Sequence, residues 1–318
     1  MQFAPDSQGV RQEILTLHSA ELGRTLYIAL RGEGVSPVLT INPPDGMIDL
    51  GHCLEGDESS ATVMLRNDSV FPLTYTLIPE DEPVSSFIGQ QPFTIIPNEA
   101  EVQPGQELEV MVIFRPDHER VWPYHQRLKV FVPNQEKTNY LSLSGRSHAR
   151  QMYAVSYDSA SDAASQQPED REDPFLVSAA DLLANGLDDD VGFGERPVDV
   201  PVIKLTFPRE DSSVEREVTV GCIAIKNDAK FKGGGGNYEL EWVNNQYFSA
   251  DQEKGNCNPG EKTTIKFKFK PPEIGDTYGL DVGQWERTIV KINLNNGFSH
   301  EHASQAPVEV LLEGFISI

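Results

Sequence analysis

The chain has 318 residues, 38% hydrophobic and 24% charged, with 25 glycines, 22 prolines and a formal net charge of −23. A surface this acidic excludes non-specific nucleic-acid binding, which needs a basic face for phosphate. No apolar run approaches the roughly 18–20 residues that cross a membrane, and the first residues lack the basic start and apolar core of a secretory signal.

Three cysteines, Cys53, Cys222 and Cys257, are few and odd in number, without metal-ligand spacing; they suit a reducing cytoplasmic compartment. Taken in chain order, residues 10–35 place Leu15, Leu17, Leu26, Ile28 and Leu30 in two alternating runs. Two strands alone are marginal in water. Residues 1–35 therefore read as the C-terminal strands of an incomplete upstream module, and the chain as a piece of a longer protein.

Residues 36–153 predict about seven short strands, the pattern of an immunoglobulin-type β-sandwich. Val38–Ile41 and Met47–Leu50 flank a Pro43-Pro44-Asp45-Gly46 turn. Ala61–Arg66 alternates, Leu73–Ile78 follows Pro72, and Glu107–Phe114 puts Leu108, Val110, Val112 and Phe114 on one side. Leu128, Val130 and Val132 make the next apolar face, and Tyr140, Leu141 and Leu143 close the unit.

Residues 154–199 carry 2 basic and 12 acidic groups, the densest negative charge in the chain. Ser, Ala, Gln, Asp and Glu dominate, so little core can form, and the segment reads as a flexible acidic linker. Inside it, Asp173 can cap a helix, Pro174 suits the first turn, and Phe175, Ala179, Leu182 and Leu183 share a helical face; this predicts a short helix at 174–184.

Residues 200–318 repeat the sandwich plan with longer insertions. Ile203, Leu205 and Phe207 alternate, Glu217–Ile225 makes a strand, and Thr288–Leu294 and Val308–Ile316 are the last two. Ile265, Phe267 and Phe269 point one way while Lys266, Lys268 and Lys270 point the other. A long linker argues for independent sandwiches, whereas stacked units would hide Trp242 or Trp285 between them.

The two long units share a series of short motifs. Arg66-Asn67-Asp68, Pro104-Gly105, Phe114-Arg115-Pro116 and Leu143-Ser144-Gly145 return as Lys226-Asn227-Asp228, Pro259-Gly260, Phe269-Lys270-Pro271 and Leu312-Glu313-Gly314. The step from Pro104 to Phe114 is ten residues, and so is the step from Pro259 to Phe269. Leu30-Arg31-Gly32 repeats the closing piece. Asn67 and Asn227 end strands, where an amide satisfies backbone groups that leave the ladder, and Pro116 and Pro271 stop the strands they follow.

With Ser36-Pro37, Ile48-Asp49-Leu50-Gly51 and Val63-Met64-Leu65-Arg66-Asn67, this order resembles the ASH module, the Hydin-type relative of the major sperm protein fold. The first unit matches well; the second lacks the opening motif and is a divergent copy. The resemblance implies an all-β fold of tandem immunoglobulin-like (ASH/MSP-type) sandwiches joined by a disordered acidic linker. It also implies a non-enzymatic scaffold segment of the ciliary or flagellar axoneme, of central-apparatus type, in the cytoskeleton. Its partners would be other axonemal scaffold proteins and tubulin in microtubules, serving cilium assembly and movement. The alternative from the same fold is an adaptor that binds short acidic peptides at a membrane contact site.

No enzyme motif stands up, and no cofactor, metal or membrane insertion is expected. Gly233–Gly236 is not followed by Lys-Ser/Thr, so it is no phosphate loop. His300-Glu301-His302 reads as a solvated loop more readily than as part of a metal site. Lys266, Lys268 and Lys270 form a basic stripe for an acidic partner, set against the plainer reading of an outward face whose lysines discourage edge aggregation. Arg115, Arg120, Arg127, Lys129, Arg146 and Arg150 form a second basic group, diluted by Asp117 and Glu119. Phe175, Leu182 and Leu183 would dock in a partner groove, or else pack on their own sandwich.

Overall fold

The computed structural model describes residues 3–5, 7–21, 23–80, 89–120, 122–156, 176–178, 201–207, 214–226, 234–270 and 285–315. Among these, the elements are all strands, and no helix is long and apolar enough to cross a membrane. β1 (Gly9–Ser19) and β2 (Arg24–Gly34) form an antiparallel hairpin. A first sandwich follows, from β3 (Leu39–Asn42), β4 (Met47–Leu54), β5 (Ser59–Asn67), β6 (Leu73–Pro79), β7 (Phe93–Ile96), β8 (Glu99–Val102), β9 (Glu107–Phe114), β10 (Tyr124–Phe131) and β11 (Asn139–His148). Its sheets run β4-β11-β10-β6-β8 and β3-β5-β9-β7.

The second sandwich uses β12 (Met152–Val155), β13 (Leu176–Ser178), β14 (Pro201–Phe207), β15 (Glu215–Cys222), β16 (Gly236–Val243), β17 (Phe248–Ala250), β18 (Lys254–Cys257), β19 (Lys262–Phe269), β20 (Trp285–Asn296) and β21 (Val308–Phe315). Its sheets run β12-β15-β19-β17 and β13-β14-β21-β20-β16-β18. In both units the closing strand is antiparallel to its predecessor and parallel to an early strand: β11 lies between β10 and β4, and β21 between β20 and β14. That mixed pairing belongs to an immunoglobulin-like sandwich rather than to a simple up-and-down meander.

Period-two alternation sends every second residue inward. Val63, Leu65, Val110, Val112 and Phe114 meet Tyr75, Leu128 and Leu141 in the first core. Val218, Val220, Ile265 and Phe267 meet Leu205, Val290, Ile292 and Val310 in the second. Burying a side chain of this size contributes about 1.5–3 kcal/mol, so each unit has its own apolar reason to fold. The strand expected over Glu107–Phe114 has those bounds; β7, β8, β16, β17 and β18 were not expected.

The repeated motifs are structural. Asn67 is fully buried; its Nδ2 donates to the carbonyls of Phe71 and Val102, both at 2.8 Å, and its Oδ1 accepts from Ser69 N at 2.8 Å. Asn227 lies outside the described residues. At the Pro43–Gly46 turn, Gly46 has φ of 67° and abuts the Tyr140 carbonyl, where no Cβ fits. At the closing motifs, a Cβ on Gly145 would come within 2.8 Å of the Phe114 ring, and one on Gly314 within 2.5 Å of the Phe269 ring. Phe-x-Pro and Leu-x-Gly are thus two halves of one contact.

Three expectations are corrected. The helix at 174–184 gives way over Leu176–Ser178 to a strand, β13, which pairs antiparallel with β14; the rest of that stretch lies outside the described residues. The boundary at 153 falls inside β12, whose Met152 pairs with Cys222 and Val155 with Thr219 in the second sandwich. The chain therefore passes between sandwiches at 149–151, and the acidic stretch leaves from and returns to the second unit. Finally, the sandwiches touch without either tryptophan: Trp242 packs on the second core and Trp285 is 43% exposed.

Candidate functional site

Residues 149–151 are too short to act as a free tether, and they are bonded into the second unit. Gln151 is 1% exposed. Its backbone N–H donates to Phe298 O at 2.8 Å, and its side-chain Oε1 accepts from Phe298 N at 2.9 Å. Its backbone carbonyl accepts from Ile223 N at 2.9 Å, and its Nε2 donates to Ile223 O at 2.8 Å. One glutamine thus clasps two loops of the second sandwich with main chain and side chain together. Beside it, His300 N donates to Ala149 O at 3.0 Å, and Arg150 Nη1 reaches Ala306 O at 3.3 Å.

Polar groups of the first sandwich complete the junction. His52 and His148 approach to 2.7 Å between Nδ1 and Nε2, and the His52 ring stacks on Tyr153 with centroids 3.8 Å apart. One nitrogen must donate and the other accept, so the accepting ring must be neutral. Burial, reinforced by the neighbouring His148, pushes His52 down to about 2. Burial, with Arg146 and Arg150 nearby, pushes His148 down to about 3. Glu55, 8% exposed, accepts from Glu119 N at 3.2 Å and lies 2.5 Å from His302 Nε2 and 3.7 Å from His300 Nε2. Asp57 Oδ2 accepts from Lys226 N at 2.9 Å. His300 and His302 therefore face a first-sandwich carboxylate from a loop in which Glu301 and His302 remain exposed.

The expected basic stripe is present, and two of its three lysines are paired with carboxylates. Lys266 and Lys268 lie on the exposed face of β19, opposite Glu217 and Glu215 of β15. Lys268 Nζ is 2.6 Å from Glu215, and Lys266 Nζ is 3.1 Å from Glu215 and 3.5 Å from Glu217. Hydrogen bonds from Lys268 and Lys266 lower the Glu215 carboxyl, and the bond to Glu215 raises Lys266. Lys270 follows at the strand end, its backbone N–H held by Tyr247 O at 2.7 Å.

The second basic group is also engaged. Arg115 pairs with Glu58 at 2.6 Å, Arg127 pairs with Glu80 at 3.3 Å and covers the Tyr140 ring, and Arg120 covers Tyr124. Phe175, Leu182 and Leu183 lie outside the described residues.

The sequence reading missed Glu55, Asp57, His52, His148 and Gln151. Its only signal was the short distance from the closing Gly145 to the next alternating run, Met152–Val155.

Comparison with known proteins agrees with this architecture. Residues 37–146 match the family model "HYDIN/CFA65/VesB-like, Ig-like domain". Cilia- and flagella-associated protein 74 of Chlamydomonas reinhardtii is 30% identical over 183 residues, covering 55% of this chain and 9% of that protein. The Homo sapiens protein of the same name is 21% identical over 254 residues, covering 70% of this chain and 15% of its own length. This chain thus spans only a small part of these relatives. Among solved structures, the ASH/PapD-like domain of human CEP192 aligns at 18% identity and a TM-score of 0.29, covering 34% of this chain and 84% of that one. Residues 37–146, in the first sandwich, are thus similar to the HYDIN/CFA65/VesB-like immunoglobulin-like domain, in a chain similar to cilia- and flagella-associated protein 74.

Proposed function

We propose that this chain is a non-enzymatic scaffold segment of a ciliary or flagellar axonemal protein, making protein–protein contacts that serve cilium assembly and movement. The observation that carries this reading is the similarity to cilia- and flagella-associated protein 74 of two organisms, which in the human case extends over 70% of the chain. A physical argument supports it. Polar groups that converge at the junction bind one another across it or beside it: His52 with His148, Glu55 with His302, Asp57 with the Lys226 backbone amide. Groups engaged in this way hold the two sandwiches together.

The charge pairing also redirects the choice of contacts. An acidic peptide or an acidic microtubule surface needs a net positive face, and Glu215 and Glu217 cancel Lys266 and Lys268. For Lys266 and Lys268 this pairing weighs against the adaptor reading and the tubulin reading of that strand. Attachment then runs through sheet edges and neighbouring sandwiches, toward other axonemal scaffold proteins. The test is fractionation of ciliated cells that express the tagged chain. Retention with detergent-extracted axonemes is expected; recovery in the membrane or soluble fraction would contradict the proposal.

A further inference from the structure

Among the described residues, nothing covers the apolar face of the hairpin of β1 and β2. In register, Leu15 pairs with Ile28 and Leu17 with Leu26, so these four share one side, with Leu30 beside them. Leu17 is 46% exposed and Leu26 58%. A two-stranded ribbon in this state is marginal in water.

Its register is that of the closing pair in each complete sandwich. The closing glycine faces Arg11 in the hairpin, Tyr124 in the first sandwich and Glu286 in the second. Two residues along each opposing strand stands a polar side chain: Glu13, Gln126 and Thr288. The next inward pairs are aliphatic in all three: Leu15 with Ile28, Leu128 with Leu141, and Val290 with Val310. The latter four residues are at most 1% exposed.

A second feature coincides independently. Phe3-Ala4-Pro5 is a third Phe-x-Pro, which the motif series above did not include. The Phe3 ring lies where a Cβ on Gly32 would be, at 2.7 Å, as Phe114 lies on Gly145 and Phe269 on Gly314. Phe3 itself is 53% exposed, whereas Phe114 is fully buried. The contact is the same, but the core around it is missing.

We propose that β1 and β2 are the closing strand pair of a third sandwich, whose earlier strands belong to polypeptide N-terminal to Phe3 in a longer protein. The two complete units define the geometry. The missing sheet adds a parallel strand along β2, as β4 does along β11 and β14 along β21. It adds an antiparallel strand along β1, as β6 does along β10 and β16 along β20. A second, apolar sheet covers the Leu15–Ile28 face.

Area favours this occupant over a second copy of the chain. Eleven-residue strands make a face about 36 Å long and 10 Å wide, roughly 350 Å². That is under half of the about 800 Å² per partner of a stable interface. The relatives that match this chain leave ample polypeptide outside it, since the match covers 9% of the algal protein. This inference is independent of the ciliary reading.

The test is amide hydrogen exchange on the 318-residue chain and on the native polypeptide immunopurified from its source, with the β10 and β11 amides as folding control. The native polypeptide is expected to exceed 35.3 kDa, with Leu15–Leu17 and Leu26–Leu30 amides exchanging on the order of 100-fold more slowly than in the shorter chain. A native polypeptide that begins at Met1, or equal exchange in the two samples, would overturn the proposal. So would protection in the 318-residue chain that rises with its concentration, which would assign the face to a second copy.

Discussion

At Gly145 and Gly314, the absence of a side chain is what lets an aromatic ring close the core. Phe114 is fully buried and Phe269 nearly so, so neither ring has room to retreat. Gly145→Val and Gly314→Val are each expected to lower stability by about 1–3 kcal/mol or more in chemical unfolding, the range for overpacking. Gly32→Val in the same chain should cost little, because the exposed Phe3 ring can swing away. Equal penalties at all three positions would refute the distinction.

Gln151→Ala leaves the Ile223 carbonyl and the Phe298 N–H each short of a partner, at about 1–3 kcal/mol for each group left unsatisfied. The histidines add a pH dependence. Both start from 6.5 in the unfolded chain and fall to about 2 and about 3 when folded, so their stabilising effect is fully present above pH 6.5. It is lost as pH falls from there toward the folded values, because the unfolded state takes up the protons. At pH 5 each histidine costs about 2 kcal/mol relative to pH 7.5. Urea unfolding at the two pH values should show this difference, and His52→Phe/His148→Leu should flatten it.

Strands rather than residues decide the charge behaviour. β19 alone carries a lysine face, and in isolation it promised an anion-binding surface; β15 beside it supplies Glu215 and Glu217 in register. Glu215→Gln/Glu217→Gln should unmask the lysines and raise affinity for microtubules or an anionic column, with the gain removed by salt. An unchanged elution would mean that the pairing does not control the face.

The same strands show how far sequence reading reaches. β9 was legible because Leu108, Val110, Val112 and Phe114 alternate without interruption. β8 was not, since Glu99 and Glu101 dilute its pattern and its inward residues are only Ala100 and Val102. β12 was misplaced because four residues after a closing motif read as its tail. Only its partner, β15, shows that it opens the next unit. The contact between Phe-x-Pro and Leu-x-Gly was equally hidden: the motifs stand far apart in sequence, and folding alone sets ring on glycine.

For the molecule as a whole, the position of the acidic stretch changes the mechanics. As a linker it would let two sandwiches tumble independently. Among the described residues, their relative orientation is held instead by residues 149–151, the Gln151 clasp and the His52–Tyr153 stack. A scaffold gains from this: contacts made at one end are held at a set angle and distance from contacts made at the other. The sequence could not show it, because Gln151 and His148 acquire their roles only from loops around Ile223 and Phe298 and from His52, all remote in the chain.

The most direct test is a pulsed electron–electron dipolar measurement between spin labels on two exposed positions, Glu109 of β9 and Glu241 of β16. The native cysteines, all buried, would be replaced by serine or alanine only if they label. A single narrow distance distribution that broadens in Gln151→Ala is the predicted result. A broad distribution in the otherwise unaltered chain, like that of two domains on a free tether, would contradict the account.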